Sequence, residues 1–157
     1  MVLSLTQDHL DDIRKHGEAA FPYECCGLLL GQIQGEQKQV LELWQVENSW
    51  EEGENPFADG ESRNRRFLIE PQAFKAAHDY AQQQGLGVIG TYHSHPNHPP
   101  VPSEFDRQHA FPWGFSCMIV SVQEGLSGDL ISWVLDEQDH PQVEPIQLRS
   151  PERVASH

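Results

Sequence analysis

The sequence predicts a mixed α/β domain built around one sheet. This prediction rests on stretches with helical periodicity, short runs rich in β-branched and aromatic residues, and Gly- or Pro-containing turns between them. With 157 residues, the chain is long enough for one domain with a hydrophobic core and too short for two ordinary domains. We find no internal repeat and no linker. We therefore expect a single domain over residues 1–157, with a partly ordered tail from about residue 138.

The first half of the chain is predicted to contain a helix, a β-hairpin and a long loop. The helix begins after a cap at Ser4 or Thr6 and ends before Pro22. Its apolar positions recur at helical spacing: Leu10, Ile13, Gly17 and Ala20. The apolar run "CGLLLGQIQ" and the following "KQVLELWQVE" flank a "GEQ" turn, which indicates a hairpin. Residues 48–66 are polar and aperiodic, and a loop of this length is often a functional flap.

The second half predicts two more helices and several strands. "FLIE" is a brief strand, and Pro71 then opens a helix that runs to about Gln84 and stops at Gly85. "LGVIGTYHSH" is a strand that becomes polar as it ends, and "SEFDRQHAF" is a short helix. "FSCMIVSV" is a strongly apolar central strand with "GDLISWVLDE" as its hairpin neighbour. "VEPIQL" is one possible edge strand before the tail.

Composition disfavours several classes of protein. Ten basic against 24 acidic residues give a net charge of −14, which disfavours a nucleic acid partner because the protein's field repels phosphates. No apolar run reaches the roughly 20 residues of a membrane helix, and the N-terminus lacks a signal-peptide pattern, so we expect a cytoplasmic protein. Cys25, Cys26 and Cys117 form neither a disulfide framework nor a CxxC zinc ribbon.

Several polar residues could together form a catalytic metal site. His93 and His95 lie two apart at the end of a predicted strand, so both side chains share one face, about 6.6 Å apart along the backbone. Asp106, on the helix after the proline loop, is the obvious third ligand. Two histidines and one carboxylate leave a fourth tetrahedral position open, as in catalytic zinc sites. Glu24 is the candidate general base, and Ser103 could donate a hydrogen bond to a developing oxyanion.

These residues also have plain structural interpretations. An HxH pair occurs often by chance. Ser103 followed by Asp106 is typical of a capped helix start, because serine caps well and acids favour the first turn. The two interpretations of Ser103 are compatible. Glu24 alone could be a solvated acid near a helix end.

Other histidines and the cysteines are weaker candidates. We expect His98, on the proline loop, and His109, on the surface of the short helix, not to be ligands. Cys25 is a poor candidate nucleophile because no histidine is obviously dedicated to activating it. Cys26 and Cys117 lie in apolar strands and are expected to be small core residues.

Taken together, these motifs resemble the JAMM/MPN+ (Mov34/MPN/PAD-1) metalloprotease family in its small standalone bacterial form. "HSHP" at 93–96, six further residues and then "SEFD" match the family signature HSHP-x6-SxxD. "FPYECCGLLLG" resembles the segment that carries the family's essential glutamate, here Glu24. Asn48 and "RFLIEP" also lie where family members place similar residues. The resemblance covers roughly residues 5–135.

The resemblance implies a fold, a cofactor and an activity. The fold is a JAMM/MPN-like α/β domain with a curved mixed sheet flanked by helices. One catalytic zinc ion would be bound by His93, His95 and Asp106, with a water as fourth ligand. Glu24 would be the general acid/base, and Ser103 would steady the tetrahedral intermediate. The partner would be a ubiquitin-like or sulfur-carrier protein, cleaved at the amide bond after its C-terminal Gly-Gly while the long loop covers the tail.

Two other functions stay open on the sequence alone. The domain could be a non-catalytic binding module for a ubiquitin-like protein, with zinc used only for stability. Alternatively, the hydrolase chemistry could act on a different substrate, such as a small amide.

Overall fold

The computed structural model describes residues 1–51, 53–109 and 114–151. These residues form eight strands and three helices, with all the strands in one sheet. The strands are β1 (Val2–Leu5), β2 (Cys26–Gln34), β3 (Gln37–Val46), β4 (Gly87–Pro96), β5 (Ser116–Gln123), β6 (Leu126–Leu135), β7 (Pro141–Glu144) and β8 (Ile146–Leu148). The helices are α1 (Gln7–Ala20), α2 (Pro71–Gln83) and α3 (Glu104–His109). No helix in these ranges is long and apolar enough to span a membrane.

The sheet is mixed and curved, with the strand order β7-β6-β5-β4-β2-β3-β1-β8. β1 is parallel to β3 and β8, and β4 is parallel to β5, whereas the remaining pairs are antiparallel. Irregular register near Leu30 in β2 and between Val120 and Val122 in β5 adds local twist. The edge strands β7 and β8 are joined through Pro145 alone, so the sheet nearly closes. The predicted α/β class, with a curved mixed sheet flanked by helices, is confirmed.

The alternating side chains of β2 divide the core between the two faces of the sheet. Leu29 packs on the α1 side, whereas Leu28 and Leu30 pack on the α2 side. The α1 side also buries Leu3, Leu5, Leu10, Ile13, Tyr92, Met118, Val120 and Val122. The α2 side buries Cys26, Val46, Ala77 and Ala81. The sheet therefore has an apolar layer on each face, which makes β2 and its neighbour β4 rigid supports.

The ends of the two long helices are close to those that the sequence predicts. Thr6 caps α1, because its hydroxyl accepts from the His9 N–H while the His9 ring accepts from the Thr6 N–H. The other predicted cap, Ser4, is wrong because it lies within β1, a strand that the sequence did not predict. Pro71 begins α2, and Gly85, at a φ of 73°, follows its end.

The predicted strand "FLIE" was wrong. Its segment makes no ladder with the sheet, because its backbone bonds with the beginning of the long loop instead. The Leu68 N–H donates to the Asn48 side chain, and the Leu68 carbonyl accepts from the Ser49 N–H. The apolar positions Phe67 and Ile69 still pack on the α2 side of the sheet. Hydrophobic burial therefore occurs here without strand pairing.

The single edge strand predicted over "VEPIQL" was also wrong. The chain forms two strands there, β7 and β8, on opposite edges of the sheet. Pro145 lies between them, and it has no N–H with which to continue a ladder. Its carbonyl accepts instead from the Leu3 N–H of β1. The tail beyond Pro151, and the last two residues of the predicted helix "SEFDRQHAF", lie outside the described residues.

Candidate metal centre

Four of the predicted site residues meet where β4 ends. His93 and His95 occupy alternate positions of β4, so they share the face opposite α1. Asp106 lies in the first turn of α3. Glu24 lies in the bend between α1 and β2, two residues before Cys26, which pairs with His93 in the sheet. Strand pairing between β2 and β4 thus brings together residues about seventy positions apart in the sequence.

Three potential ligand atoms converge at this point. The two Nε2 atoms of His93 and His95 are 3.2 Å apart, and the Asp106 Oδ2 is 3.2 Å from the first and 2.9 Å from the second. Tetrahedral zinc with bonds of about 2.0–2.1 Å separates its ligand atoms by about 3.3 Å. A carboxylate oxygen of Glu24 lies within 4.8 Å of both histidine nitrogens. The spacing therefore fits three ligands around one ion, with Glu24 beside it.

The protons in this cluster also indicate a cation. The His95 Nδ1 is 2.9 Å from the Pro99 carbonyl, which can only accept, so Nδ1 carries the proton in the neutral ring. The Nε2 lone pair of His95 then faces the Asp106 carboxylate. Burial lowers the pKa of His93, although the Asp106 carboxylate opposes this. Two ring nitrogens and a carboxylate oxygen this close together would be stabilised by a positive ion between them.

His93 is oriented by apolar and sulfur contacts. Its side chain is fully buried, and the Phe67 ring stacks on it at a centroid distance of 4.6 Å. The Cys117 Sγ lies 3.9 Å from its Nδ1. A ring held on one face and at one nitrogen keeps its other nitrogen aimed at the cluster, as outer contacts do in metal sites.

Asp106 and Ser103 hold each other at the start of α3. The Ser103 N–H donates to the Asp106 Oδ2 at 3.0 Å, and the Asp106 N–H donates to the Ser103 hydroxyl at 3.1 Å. Although burial raises the pKa of Asp106, the neighbouring His93 and His95 lower it well below its usual value. Asp106 is therefore ionised, as a ligand must be. The helix-cap interpretation of Ser103 is confirmed, and its role toward an oxyanion stays a prediction.

Glu24 is not the solvated acid that its local sequence allowed. Only 5% of its surface is exposed, and its Oε1 has no hydrogen-bond partner among the described residues. Burial and the Asp106 carboxylate raise its pKa well above the usual value, whereas Arg66 and Arg65 act in the opposite direction. A buried carboxyl with a raised pKa and a free oxygen can accept and return a proton near neutral pH.

Asn48 anchors the beginning of the long loop to the backbone around Glu24. Its Nδ2 donates to the carbonyls of Glu24 and Arg66 at 3.0 and 2.9 Å. Its Oδ1 accepts from the backbone N–H groups of Trp50 and Leu68 at 3.1 and 3.2 Å. One side chain therefore joins the segment around Glu24 to both ends of the loop. Movement of this loop as a flap stays a prediction.

A cleft of about 160 Å³ opens beside the cluster. Its walls are formed by Glu24, Arg65, Arg66, His95, His98, Pro99, Val101 and Ser103. Sequence reasoning missed the two arginines, although the run "RNRR" stands out in a chain with only ten basic residues. His98 is outside the ligand cluster, as predicted, but it lines the cleft. His109 is exposed, as predicted, and its ring contacts Phe57 and Phe105.

The cysteines take no part in the cluster's chemistry. Burial raises the pKa of the Cys25 thiol to about 12, so a thiolate nucleophile is not available at neutral pH. Cys26 and Cys117 are fully buried among apolar side chains, as predicted. All three are free thiols.

Comparison with known proteins identifies the family. The family model described as prokaryotic homologs of the JAB domain, Prok-JAB, matches residues 6–136. The desampylase of Pyrococcus furiosus is 28% identical over 116 residues, which cover 74% of this chain and 69% of that protein. The desampylase of Haloferax volcanii is 28% identical over 139 residues, which cover 86% of this chain and 90% of that protein.

Solved structures agree with this assignment. A protein of Salinibacter ruber, solved in solution, is 37% identical with a TM-score of 0.70, and the match covers 100% of this chain and 97% of that one. A JAB1/MPN domain protein of Archaeoglobus fulgidus shares the fold, with a TM-score of 0.51 and 20% identity over 93% of this chain and 98% of that one. The family model, the relatives and the fold lead to one conclusion: the chain belongs to the prokaryotic JAB-domain family.

Proposed function

We propose that the protein is a zinc-dependent peptidase or isopeptidase. It hydrolyses the amide bond that follows the C-terminal Gly-Gly of a ubiquitin-like or sulfur-carrier protein. The observation that carries the proposal is the meeting of three potential ligand atoms, from His93, His95 and Asp106, within 3.2 Å of one another beside Glu24. That arrangement leaves one side of the ligand set facing a cleft, as catalytic sites do.

The residues around the cleft can perform each step of amide hydrolysis. A zinc ion held by the three ligands would supply Lewis-acid activation of water and polarise the scissile carbonyl. Glu24 accepts a proton from the attacking water and delivers it to the leaving nitrogen. The carbon–nitrogen bond breaks, and the products are a carboxylate and a free amine.

Ser103 is suited to the developing charge on the carbonyl oxygen. Its hydroxyl oxygen accepts from the Asp106 N–H, so the cap uses only its acceptor function. The hydroxyl proton remains available to donate into the cleft that Ser103 lines. A single residue can thus hold a ligand and stabilise the oxyanion.

Two features support a carrier tail as the substrate. Two relatives, which cover 74% and 86% of the chain, are named desampylases. The cleft is small, about 160 Å³, and it is suited to an extended tail that ends in two glycines, which have no side chains to accommodate.

A substrate panel tests the activity. Ubiquitin and several purified sulfur-carrier proteins, each extended by one alanine after Gly-Gly, are incubated with zinc-loaded enzyme and analysed by mass spectrometry. We expect at least one to lose the alanine. Failure to cleave any carrier or any isopeptide-linked conjugate contradicts the proposed function.

The general base is tested with Glu24→Gln. The substitution keeps size and hydrogen-bonding capacity but removes proton exchange, so turnover should fall by about 10²–10⁴-fold. Bound zinc, measured by plasma emission spectrometry, should remain near one per chain. Full activity in this variant rules out Glu24 as the base.

Chelation separates catalysis from a purely structural ion, which the binding-module alternative requires. The apolar layers on both faces of the sheet are complete without a metal. We therefore expect the zinc-free protein to stay folded and to unfold cooperatively. Its Tm should be lower than that of the zinc-bound protein only by the stabilisation that zinc binding contributes. Loss of the folded state on chelation favours the binding module.

A further inference from the structure

The loop that borders the cleft contains three nearby arginines with different surroundings. Arg63 pairs with Glu51 at 3.2 Å and lies over the Tyr23 ring. Arg66 pairs with Asp59 at 2.9 Å. Its guanidinium also lies 4.5 Å over the Phe105 ring. Both guanidinium groups are paired with residues of the loop or of its neighbours. Their charges therefore stabilise the conformation of the loop.

Arg65 is the exception. It is exposed and lines the cleft with Glu24, His95 and Ser103. Within the described residues, its guanidinium has no hydrogen-bond acceptor and no ion-pair partner. Arg66 also lines the cleft, and its charge opposes the raised pKa of Glu24 more strongly than that of Arg65, but Arg66 is paired with Asp59 whereas Arg65 is not. An uncompensated cation in the reaction cleft of a chain with net charge −14 indicates where an anionic part of the substrate binds.

The backbone holds Arg65 in place. Its N–H donates to the Ser62 carbonyl at 3.0 Å, and the next N–H, of Arg66, donates to the same carbonyl at 3.1 Å. The carbonyl of Arg66 accepts from Asn48, the residue that also holds Glu24. The backbone of Arg65 is therefore attached to the same support as Glu24, which fixes the point from which its side chain extends into the cleft.

The chemistry of the substrate shows which anion this can be. On the carrier side, the Gly-Gly end has no charged side chain next to the scissile bond. On the leaving side, a single amino acid linked through its α-amine has its carboxylate two bonds from the scissile nitrogen. A lysine linked through its ε-amine has no carboxylate at that distance. A guanidinium binds a carboxylate through two parallel hydrogen bonds, so this contact can distinguish the two linkages.

We propose that Arg65 binds the free α-carboxylate of a single amino acid joined to the carrier's terminal glycine, and thereby favours such substrates over isopeptide-linked ones. This inference rests on the proposed hydrolase function and specifies its leaving group. Arg65 is a specificity residue that contacts the leaving part of the substrate. It plays no part in proton transfer.

The test uses the carrier that the panel shows to be cleaved fastest, prepared in three forms. The first ends in Gly-Gly-Ala with a free carboxylate, and the second is the same protein ending as the carboxamide. The third has the Gly-Gly end joined to the ε-amine of a blocked lysine. We expect kcat/KM to be about 10- to 100-fold lower for the second and third forms, since a charge-assisted contact is lost.

Arg65→Gln should lower kcat/KM for the free carboxylate by a similar factor and leave the carboxamide unchanged, so the two changes are not additive. Arg65→Lys should restore part of the loss. Arg63→Gln is the matched control, with the same change in charge on the same loop, and it should preserve the wild-type ratio between the two forms. A wild-type ratio near one, or an equal loss on both forms in Arg65→Gln, overturns the inference while leaving the hydrolase function standing.

Binding provides a readout that does not depend on turnover. In the inactive Glu24→Gln background, fluorescence anisotropy compares the affinity for the carboxylate and carboxamide forms with and without Arg65→Gln. We expect the carboxylate form to bind about 10-fold or more tightly only when Arg65 is present. Equal affinities contradict the inference. If no form of any carrier is cleaved by the wild type, the proposed function fails and the inference fails with it.

Discussion

Among the described residues, two buried clusters contain ionisable or hydroxyl side chains. One of the two includes a lysine, whose positive charge lies within the cluster. The histidine cluster lies on the face of the sheet opposite α1, and its members are Glu24, His93, His95 and Asp106. The lysine cluster lies on the α1 face, nearer the beginning of β4 and β5, and its members are Lys38, Ser116, Ser132 and Glu144. All eight residues are at most 7% exposed.

The lysine cluster balances its own charges, although the Glu144 Oε2 makes an ion pair and no hydrogen bond among the described residues. The Lys38 ammonium lies 3.2 Å from the Glu144 Oε2 and donates to the Ser116 hydroxyl at 2.9 Å. The hydroxyls of Ser116 and Ser132 donate to the Glu144 Oε1 at 2.6 and 2.9 Å. These bonds connect β3, β5, β6 and β7 across the interior of the curved sheet, so the cluster helps to hold the nearly closed sheet together.

The histidine cluster has the opposite balance. It brings together two imidazoles, an ionised carboxylate and a glutamate oxygen with no partner, and no lysine or arginine pairs with them at ion-pair distance within the described residues. Buried polar groups normally have partners, so the unpartnered Glu24 oxygen beside two imidazoles and a carboxylate is consistent with a ligand that completes the cluster. The two clusters therefore differ in whether a lysine within the protein balances their buried carboxylates.

The largest expected effect is on the lysine cluster. Lys38→Met leaves the Glu144 carboxylate buried without a cation, which should lower the free energy of unfolding by about 3–5 kcal/mol. Urea denaturation measures the change. Lys75→Met is the matched control, because Lys75 is exposed and pairs with Asp79 on the surface, and it should cost less than about 1 kcal/mol. Equal losses in the two variants would show that the buried pair is not the structural unit inferred here.

Removing both charges tests whether the lysine cluster is needed for stability at all. Lys38→Met combined with Glu144→Leu removes the unpaired carboxylate, so the double variant should recover most of the loss, ending within about 1–2 kcal/mol of the wild type. The same urea titrations measure it. A double variant as unstable as Lys38→Met alone contradicts this explanation.

In the histidine cluster, the corresponding change acts on metal binding. Asp106→Asn removes an anionic ligand and should weaken zinc binding at least about 100-fold, measured by competition with a chromophoric chelator. Zinc should raise the Tm of the wild type but not of this variant. Asp129→Asn, an exposed acid on β6, is the control and should bind zinc normally. Unchanged affinity in Asp106→Asn excludes it as a ligand.

The smallest expected effect concerns the support of the histidine cluster. Ser103→Ala removes the acceptor for the Asp106 N–H and should lower the free energy of unfolding by about 1 kcal/mol, whereas Ser103→Thr should keep the cap. If the hydroxyl also stabilises an oxyanion, kcat of Ser103→Ala should fall about 10²-fold or more while zinc affinity changes little. If kcat falls only in proportion to the loss of zinc, the Ser103 hydroxyl acts as a helix cap and does not stabilise the oxyanion.

The parts predicted correctly depend on local geometry. His93 and His95 share a face because strand side chains alternate, and Ser103 and Asp106 meet because a capping box links positions three apart. The helix limits at Thr6 and Gly85 follow from capping chemistry. Glu24 was a candidate as a carboxylate next to an apolar strand, and the family motif supported it, since nothing in its own neighbourhood in the sequence distinguishes a buried base from a solvated acid.

The parts predicted wrongly or missed depend on distant pairing. "FLIE" has strand composition but finds its hydrogen-bond partners in Asn48 and Ser49. "VEPIQL" is divided because Pro145 lies where the two edges of the sheet meet. Lys38 is a charged residue that would be expected on the surface, yet it is only 3% exposed. It is buried because it forms an ion pair with Glu144, which lies over a hundred residues away in the sequence.

By itself, the sequence determined the class of fold, the caps at Thr6 and Ser103 and the candidate ligands, because alternation, capping and motif spacing act over a few residues. Only the tertiary structure decided which charges lie together. It placed Glu24 beside the histidines, Arg65 at the mouth of the cleft and Lys38 against Glu144. The physical reason is that burial and electrostatic pairing depend on distances in space, and these are set when β2 pairs with β4 and the curved sheet nearly closes.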